Sequence, residues 1–331
     1  MSAITVTGLT KNYDGVLANA DVSFEVETGE IFGYLGPNGA GKTSTIRTLM
    51  GFQSPSSGTA TLLDADIHDE SAMVDARERV GYLPANPGFD ETVTGAAILD
   101  LHESLKGGSR RDELLKLFDV PVDRSVRGYS TGQKQKLGLV QAFMHDPDLV
   151  VMDEPTSGLD PLVQQRFNEF VREEKRSGTT IFLSSHVLSE VRRVCDRIGI
   201  IRAGEMVTVE RVEDLLQRSG KFVRVRVAAD VSPADVELAG VHDVSVRGLD
   251  ESYIESIPAG SVGEAGTATE LTFTYTGDFD SLVDFVDGYH VLELDIEEAP
   301  LEQVFMRFYG GGAEGADGES AETATDGGGV A

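Results

Sequence analysis

The sequence predicts an α/β fold with a mainly parallel sheet and a helical subdomain, followed by a small C-terminal α+β module. Short apolar runs indicate strands that are buried on both faces of a parallel sheet; they cover residues 31–35, 149–152, 180–183 and 198–201. Between the first two runs, apolar residues recur at helical spacing, for example at Ile98, Leu101 and Leu105. After residue 220 the pattern changes to short alternating strands at 222–227, 270–275 and 290–296, with helical spacing at 280–286.

These changes in pattern divide the chain into three parts. Residues 1–218 form the predicted α/β domain, with its helical subdomain at about 88–145. Residues 221–309 form the accessory α+β domain, and 301–308 carry helical spacing near its end. Residues 310–331 are rich in Gly, Ala and acidic side chains, so we predict a disordered acidic tail.

Composition narrows the class of protein without naming a reaction. The chain of 331 residues has 56 acidic and 28 basic side chains and a formal net charge of −28. A general nucleic-acid surface needs clustered Lys and Arg, so we expect no nucleic-acid partner. The single cysteine indicates a reducing compartment, and we expect neither a signal peptide nor a membrane span.

A phosphate-binding loop is the most specific motif in the chain. Residues 36–43 read GPNGAGKT, after an apolar strand and before a predicted helix over residues 45–50. Glycines allow successive N–H groups to point at phosphate oxygens, and the helix N-terminus adds partial positive charge. Lys42 would reach the β and γ phosphates, and the Thr43 hydroxyl would bind Mg²⁺. The predicted nucleotide contacts in this segment are Gly36, Asn38, Gly39, Gly41, Lys42, Thr43 and Ser44.

Two adjacent carboxylates follow the second apolar run. Asp153 and Glu154 come at the end of that strand, and ligands of parallel sheets bind at the carboxyl ends of strands. We therefore expect both side chains near the phosphate loop. Asp153 would hold Mg²⁺, and Glu154 would act on the water that attacks the γ-phosphate.

A second glycine-containing segment, YSTGQ at residues 129–133, is a helix-start signal. Ser130 fits the N-cap and Gln133 the reciprocal position of a capping box. A helix start with serine and glycine can also bind phosphate. This segment alone favours the plain capped helix.

Taken together, these motifs resemble those of ABC transporter ATP-binding subunits over about residues 1–215. Residues 36–43 resemble the Walker A motif, 129–133 the signature motif, 149–154 Walker B with its glutamate, and 157–160 the D-loop. His186 lies where the family has its switch histidine, and Tyr13 where it has the aromatic residue that stacks on adenine. Order and spacing agree throughout.

The resemblance implies a P-loop ATPase core and a dimer, expected to be a homodimer, with two ATP molecules at its interface. Each ATP would lie between Lys42 and Thr43 of one subunit and the signature motif of the other. His186 would contact the γ-phosphate and join Glu154 as a catalytic residue. The nucleotide contacts implied by the resemblance are Tyr13, Ser130, Gly132, Gln133 and Asp160.

Two positions depart from the family pattern. Ala85 stands where the Q-loop has glutamine or glutamate, so it offers no polar group to Mg²⁺, water or a membrane partner. Thr131 stands where the signature motif has its first glycine, and a β-branched residue indicates that this position has a negative φ. We interpret Lys134, Lys136 and the pair at 110–111 as solvated helix residues.

The resemblance further implies a separate membrane permease, with the chain cytoplasmic and peripheral at the inner face of the cell membrane. Residues 300–305 are similar to the closing helix of exporter-type subunits, which favours export. One alternative is an ABC-type ATPase acting off the membrane, in translation or DNA maintenance, although such proteins usually have two of these domains or a long coiled coil. A P-loop kinase would lack the signature motif and the D-loop.

Overall fold

A computed structural model of the chain describes residues 1–250 and 267–298. The predictions made for 301–308, 300–305 and 310–331 lie outside these residues. The chain divides into two compact units, Met1–Leu215 and Leu216–Ala331.

Strands and helices alternate through the first unit and continue into the second. The described strands are β1 (Ser2–Tyr13), β2 (Val16–Glu27), β3 (Ile31–Leu35), β4 (Ser57–Leu62), β5 (Ala65–Asp66), β6 (Val80–Leu83), β7 (Leu149–Asp153), β8 (Thr180–Ser185), β9 (Arg197–Arg202), β10 (Glu205–Arg211), β11 (Lys221–Val227), β12 (Val241–Gly248), β13 (Thr269–Tyr275) and β14 (Val291–Glu298). The described helices are α1 (Lys42–Leu49), α2 (Glu70–Glu78), α3 (Gly95–Lys106), α4 (Arg111–Phe118), α5 (Thr131–Phe143), α6 (Pro161–Ser177), α7 (Leu188–Val194), α8 (Val212–Ser219) and α9 (Phe279–Asp287).

The main sheet of the first unit has the order β10-β9-β3-β8-β7-β6. Strands β9, β3, β8, β7 and β6 are parallel and β10 is antiparallel, which confirms the mainly parallel sheet. Phe32 and Phe182 stack from neighbouring strands at 5.8 Å, and Phe24 of β2 stacks on both rings. The carboxyl ends of β3, β7 and β8 consequently lie side by side.

A second, antiparallel sheet with the order β2-β1-β4-β5 was not predicted from the sequence. Its buried residues, such as Ile4, Val22 and Leu62, join the same core as the inner side chains of the main sheet. This packing brings the start of β2 behind the loop that follows β3. The antiparallel sheet therefore packs against the predicted phosphate loop.

Helix α3 confirms the helix predicted from the spacing of Ile98, Leu101 and Leu105, but most of this apolar repeat does not face the core. Leu99 is fully buried, whereas Leu101 and Leu105 are 64% and 72% exposed. The helix lies on the surface of the unit, so only one side of it meets the core. Leu101 and Leu105 therefore keep the predicted spacing on the exposed side of the helix.

The arginine pair at 110–111 is not solvated, contrary to the prediction. Arg110 donates two hydrogen bonds to the carboxylate of Glu174, at 2.6 and 2.7 Å, and the Glu174 side chain is only 4% exposed. Arg111 donates to Asp100 and Glu103, which are exposed. The sequence could not show this because Glu174 lies 64 residues away, on α6.

We expect Arg110→Ala to lower the free energy of unfolding by about 3 kcal/mol, because it leaves the buried Glu174 carboxylate without its cation. Arg111→Ala is the matched control and should cost less than about 1 kcal/mol, since its partners are solvated. Guanidinium chloride unfolding followed by circular dichroism measures both. Equal shifts in the two variants would contradict the buried-pair account.

The second unit contains a four-stranded antiparallel sheet with the order β12-β13-β11-β14. Val223, Val225 and Phe273 of this sheet pack in one core with Leu282 of α9. The three predicted strands and the predicted helix are confirmed, and β12 is an addition. Across 1–250 and 267–298, we find no helix of the length and apolarity that a bilayer crossing requires.

Candidate functional site

The phosphate loop runs from the end of β3 to the start of α1, as predicted, although α1 begins three residues earlier than expected, at Lys42. Gly41 has a φ of 104°, and a Cβ there would lie 2.2 Å from the carbonyl oxygen of Ala18 on β2. Only glycine fits such a position, because it lacks the clashing atom and tolerates positive φ. The close approach of β2 therefore requires glycine at position 41 of the loop. Asn38 and Gly39 are exposed at its tip.

Lys42 lies across this loop and is 6% exposed. Its ammonium group donates to the carbonyl of Gly36 at 2.7 Å and to that of Pro37 at 3.3 Å. The same nitrogen is 3.2 Å from Oε1 of Glu154. A cation therefore stands between the loop and the carboxylate pair, where it can contact a bound phosphate chain.

Asp153 ends β7 and is 1% exposed. Its Oδ2 accepts a hydrogen bond from the Thr43 hydroxyl at 2.7 Å, and its Oδ1 accepts one from Ser184 at 2.6 Å. Hydroxyl and carboxylate oxygens are ligands that Mg²⁺ prefers. The pairing of Thr43 with a buried carboxylate fits the ion predicted there.

Glu154 contacts the other catalytic candidate, His186, which follows β8. Oε2 of Glu154 lies 2.8 Å from Nδ1 of the histidine. The glutamate side chain is 16% exposed and that of His186 is 48% exposed. Solvent therefore reaches the pair from one side. A carboxylate between a buried ammonium and a partly exposed imidazole is suited to orienting a water molecule.

Tyr13 lies at the end of β1, close to the beginning of α1. Its hydroxyl donates to Gln53 at 2.6 Å and lies 3.4 Å from Oγ of Ser44, the residue after Thr43. Tyr13 is 42% exposed. An exposed aromatic ring beside the phosphate loop is suited to stacking on a base.

The signature segment starts α5 through the predicted capping box. The Ser130 hydroxyl accepts the N–H of Gln133 at 3.2 Å, and the Gln133 side chain accepts the N–H of Ser130 at 3.0 Å. A Cβ on Gly132 would lie 2.5 Å from the carbonyl oxygen of Gly158, so this position requires glycine. Thr131 has no positive φ, as predicted. Among the described residues, no hydrogen bond joins this segment to the phosphate loop.

Asp160 and the two lysines that follow the signature segment, Lys134 and Lys136, contact other residues of the chain. The Asp160 carboxylate caps α6 and accepts the N–H groups of Leu162 and Val163. Lys134 pairs with Glu91 at 2.6 Å, and Lys136 donates to the carbonyl of Asp119 at 3.0 Å. Both contacts are exposed to solvent, so the two lysines lie on a solvated surface, as predicted, while each also has a partner within the chain.

Comparisons with known proteins agree with this geometry. Residues 19–157 match the ABC transporter family. The bacitracin transport ATP-binding protein BcrA of Bacillus licheniformis is 31% identical over 94% of this chain and 99% of its own length. The uncharacterized ABC transporter ATP-binding protein all4389 of Nostoc sp. is 42% identical, over 59% of this chain and 60% of its own length.

A solved structure described as an ATP-binding subunit of an ABC transporter superposes with a TM-score of 0.61 at 30% identity, covering 66% of this chain and 93% of that one. A structure of the cassette MJ0796 with ADP and Pi has the same fold, with a TM-score of 0.59 at 20% identity over 63% of this chain and 98% of its own. The chain belongs to the ABC transporter ATP-binding proteins. The residues that match the family model lie within its first unit.

Proposed function

We propose that this chain is the Mg²⁺-dependent, ATP-hydrolysing subunit of an ABC exporter, and that it forms a homodimer around two ATP molecules and drives a separate membrane permease. The observation that carries the proposal is the convergence of Lys42, Thr43, Asp153, Glu154 and His186 at the carboxyl ends of β3, β7 and β8. These side chains combine phosphate binding, metal ligands and a water-activating carboxylate in one place.

In the proposed reaction, Lys42 and the loop N–H groups bind the β and γ phosphates. Thr43 and Asp153 would hold Mg²⁺, which neutralises charge on the phosphates when it is bound. Glu154 orients the attacking water and accepts its proton. His186, within hydrogen-bonding distance of Glu154, contacts the γ-phosphate from the exposed side.

We propose the dimer because one chain contains two separate helix N-termini that are suited to binding phosphate. The phosphate loop opens α1, and the capped segment at 130–133 opens α5. The described residues of one chain make no hydrogen bond between these two starts. In a two-fold dimer each site would combine the loop of one subunit with Ser130, Gly132 and Gln133 of the other.

We propose that the permease contacts a groove beside Ala85, the residue at the Q-loop position; its lining combines aromatic and proline side chains with the amide of Gln141. A cavity of about 230 Å³ is lined by Tyr82, Pro84, Pro87 and Phe89, and Ala85 lies in the same stretch of chain. Phe52 packs edge-on against Tyr82 at 5.3 Å and is 56% exposed. Apolar contact can thus substitute for the polar group that Ala85 lacks. Similarity to BcrA over 94% of the chain supports a transport role.

We expect Phe52→Asp to lower recovery of the permease at least about tenfold when the tagged chain is purified from membranes, because it places a charge beside the groove residue Tyr82, against which Phe52 packs. Val74→Asp is the matched control, since Val74 is 55% exposed on α2. Mass spectrometry of the co-purified membrane proteins measures the effect, with phosphate release by each isolated variant as a check. Equal recovery in both variants would contradict the proposal that the permease binds at this groove. If the wild-type chain recovers no polytopic membrane protein, an ABC-type ATPase acting off the membrane is favoured instead.

A further inference from the structure

The backbone of Glu154 adopts an unusual conformation at the end of β7. Its φ is 51°, in the left-handed region that side-chain-bearing residues avoid. Strained backbone of this kind persists only where surrounding groups hold it. The turn directs the carboxylate toward Lys42 and His186, so its conformation matters to the proposed reaction.

Two buried side chains outside the predicted site hold this turn from opposite sides. The hydroxyl of Ser184 accepts the N–H of Glu154 at 3.0 Å. The amide nitrogen of Gln135 donates to the carbonyl of Glu154 at 3.3 Å and to that of Pro155 at 3.1 Å. Ser184 is fully buried and Gln135 is 1% exposed, so water does not compete for either contact.

Ser184 also links the turn to the metal ligand. Strand pairing sets Ser184 opposite Asp153, and the serine hydroxyl donates to Oδ1 of that carboxylate at 2.6 Å. One hydroxyl thereby fixes both members of the carboxylate pair. Ser184 lies two residues before His186, so the end of β8 positions both the serine and the histidine beside the carboxylate pair.

We propose that Ser184 and Gln135 are positioning residues for ATP hydrolysis, which clamp the left-handed turn so that the Glu154 carboxylate faces the attacking water. This inference rests on the proposed hydrolytic function. Removing either contact leaves one side of the turn unheld, and the backbone can relax toward the right-handed region. The carboxylate then leaves its place while the phosphate loop stays intact.

The test compares Ser184→Ala and Gln135→Met with the control Ser185→Ala in steady-state ATP hydrolysis. Ser185 is equally buried, but its hydroxyl contacts Glu190 and Val187 instead of the carboxylate pair. We expect kcat to fall at least tenfold in the first two variants, with KM and the ATP dissociation constant within twofold of wild type. Ser185→Ala should keep wild-type kcat within twofold, and Ser184→Thr, which retains the hydroxyl, should recover most of the lost rate.

A second arm measures residual single-turnover hydrolysis in the Glu154→Gln background. Because Gln135 contacts only the backbone of this turn, adding Gln135→Met there should cost less than a further twofold. Ser184→Ala is left out of this arm because Ser184 also holds Asp153. Unchanged kcat in the single variants, a parallel loss of ATP affinity, or a full tenfold loss on top of Glu154→Gln would each overturn the clamp. If Ser184→Ala does not fold, Gln135→Met carries the same test. If the wild type hydrolyses ATP and the variants hydrolyse it equally fast, the clamp is wrong but the proposed function stands. If the wild type does not hydrolyse ATP, both the proposed function and the clamp are wrong.

Discussion

Glu154→Gln should lower ATP turnover by about 10³-fold and leave ATP affinity within a few-fold of wild type. The substitution removes the carboxylate that lies between the Lys42 ammonium and the His186 imidazole, at 3.2 and 2.8 Å. It leaves the phosphate loop, Thr43 and Asp153 in place. Binding and hydrolysis are therefore expected to separate.

Phosphate release and isothermal calorimetry with ATP measure the two effects on Glu154→Gln. Glu173→Gln is a suitable control, because Glu173 is exposed on α6 and the substitution changes the net charge equally. Turnover near the wild-type rate would show that Glu154 is not the activating group. A parallel loss of ATP binding would show instead that it belongs to the phosphate cradle.

Lys42→Ala should weaken ATP binding by at least about 100-fold, because charge-assisted hydrogen bonds to phosphate contribute roughly 1.5–3 kcal/mol each. The lysine is buried across the loop and is held by the carbonyls of Gly36 and Pro37. Its removal takes away the positive charge without changing the glycines that shape the loop.

Calorimetric titration with ATP and Mg²⁺ measures the affinity of Lys42→Ala. Lys116→Ala on α4 is the control for loss of a positive charge, since Lys116 is exposed there. Unchanged affinity in Lys42→Ala would contradict the assignment of residues 36–43 as the phosphate site. Both titrations belong in high salt, which screens self-repulsion in a chain of net charge −28.

The local structure around the motifs could be predicted because it depends on residues that are close together in the sequence. The phosphate loop needs glycines at fixed spacing between a strand and a helix, and the capping box needs Ser130 and Gln133 three residues apart. The strand that ends in Asp153 could be recognised by its continuous apolar run. These signals all lie within about ten residues of the side chain concerned.

Features set by long-range packing could not be predicted in this way. Ser184 meets Asp153 only through the register between β7 and β8, and Arg110 meets Glu174 only because α4 packs near α6. The positive φ of Glu154 could not be predicted from its residue type, because glutamate rarely adopts a left-handed backbone conformation. Strands β1 and β2 were missed although residues 22–27 of β2, VSFEVE, alternate between buried apolar and exposed polar side chains. This is the same signal that predicted the strands of the second unit.

The most direct test of the account is the mass of Glu154→Gln in solution with ATP and Mg²⁺, measured by size-exclusion chromatography with light scattering in high salt. We expect an ATP-dependent dimer of twice the 35.5 kDa chain mass, because ATP binds but is hydrolysed about 10³-fold more slowly. Without ATP, or with Lys42→Ala added, the same protein should be a monomer. An ATP-bound Glu154→Gln variant that stays monomeric, or a monomer that still hydrolyses ATP, would contradict the proposed mechanism.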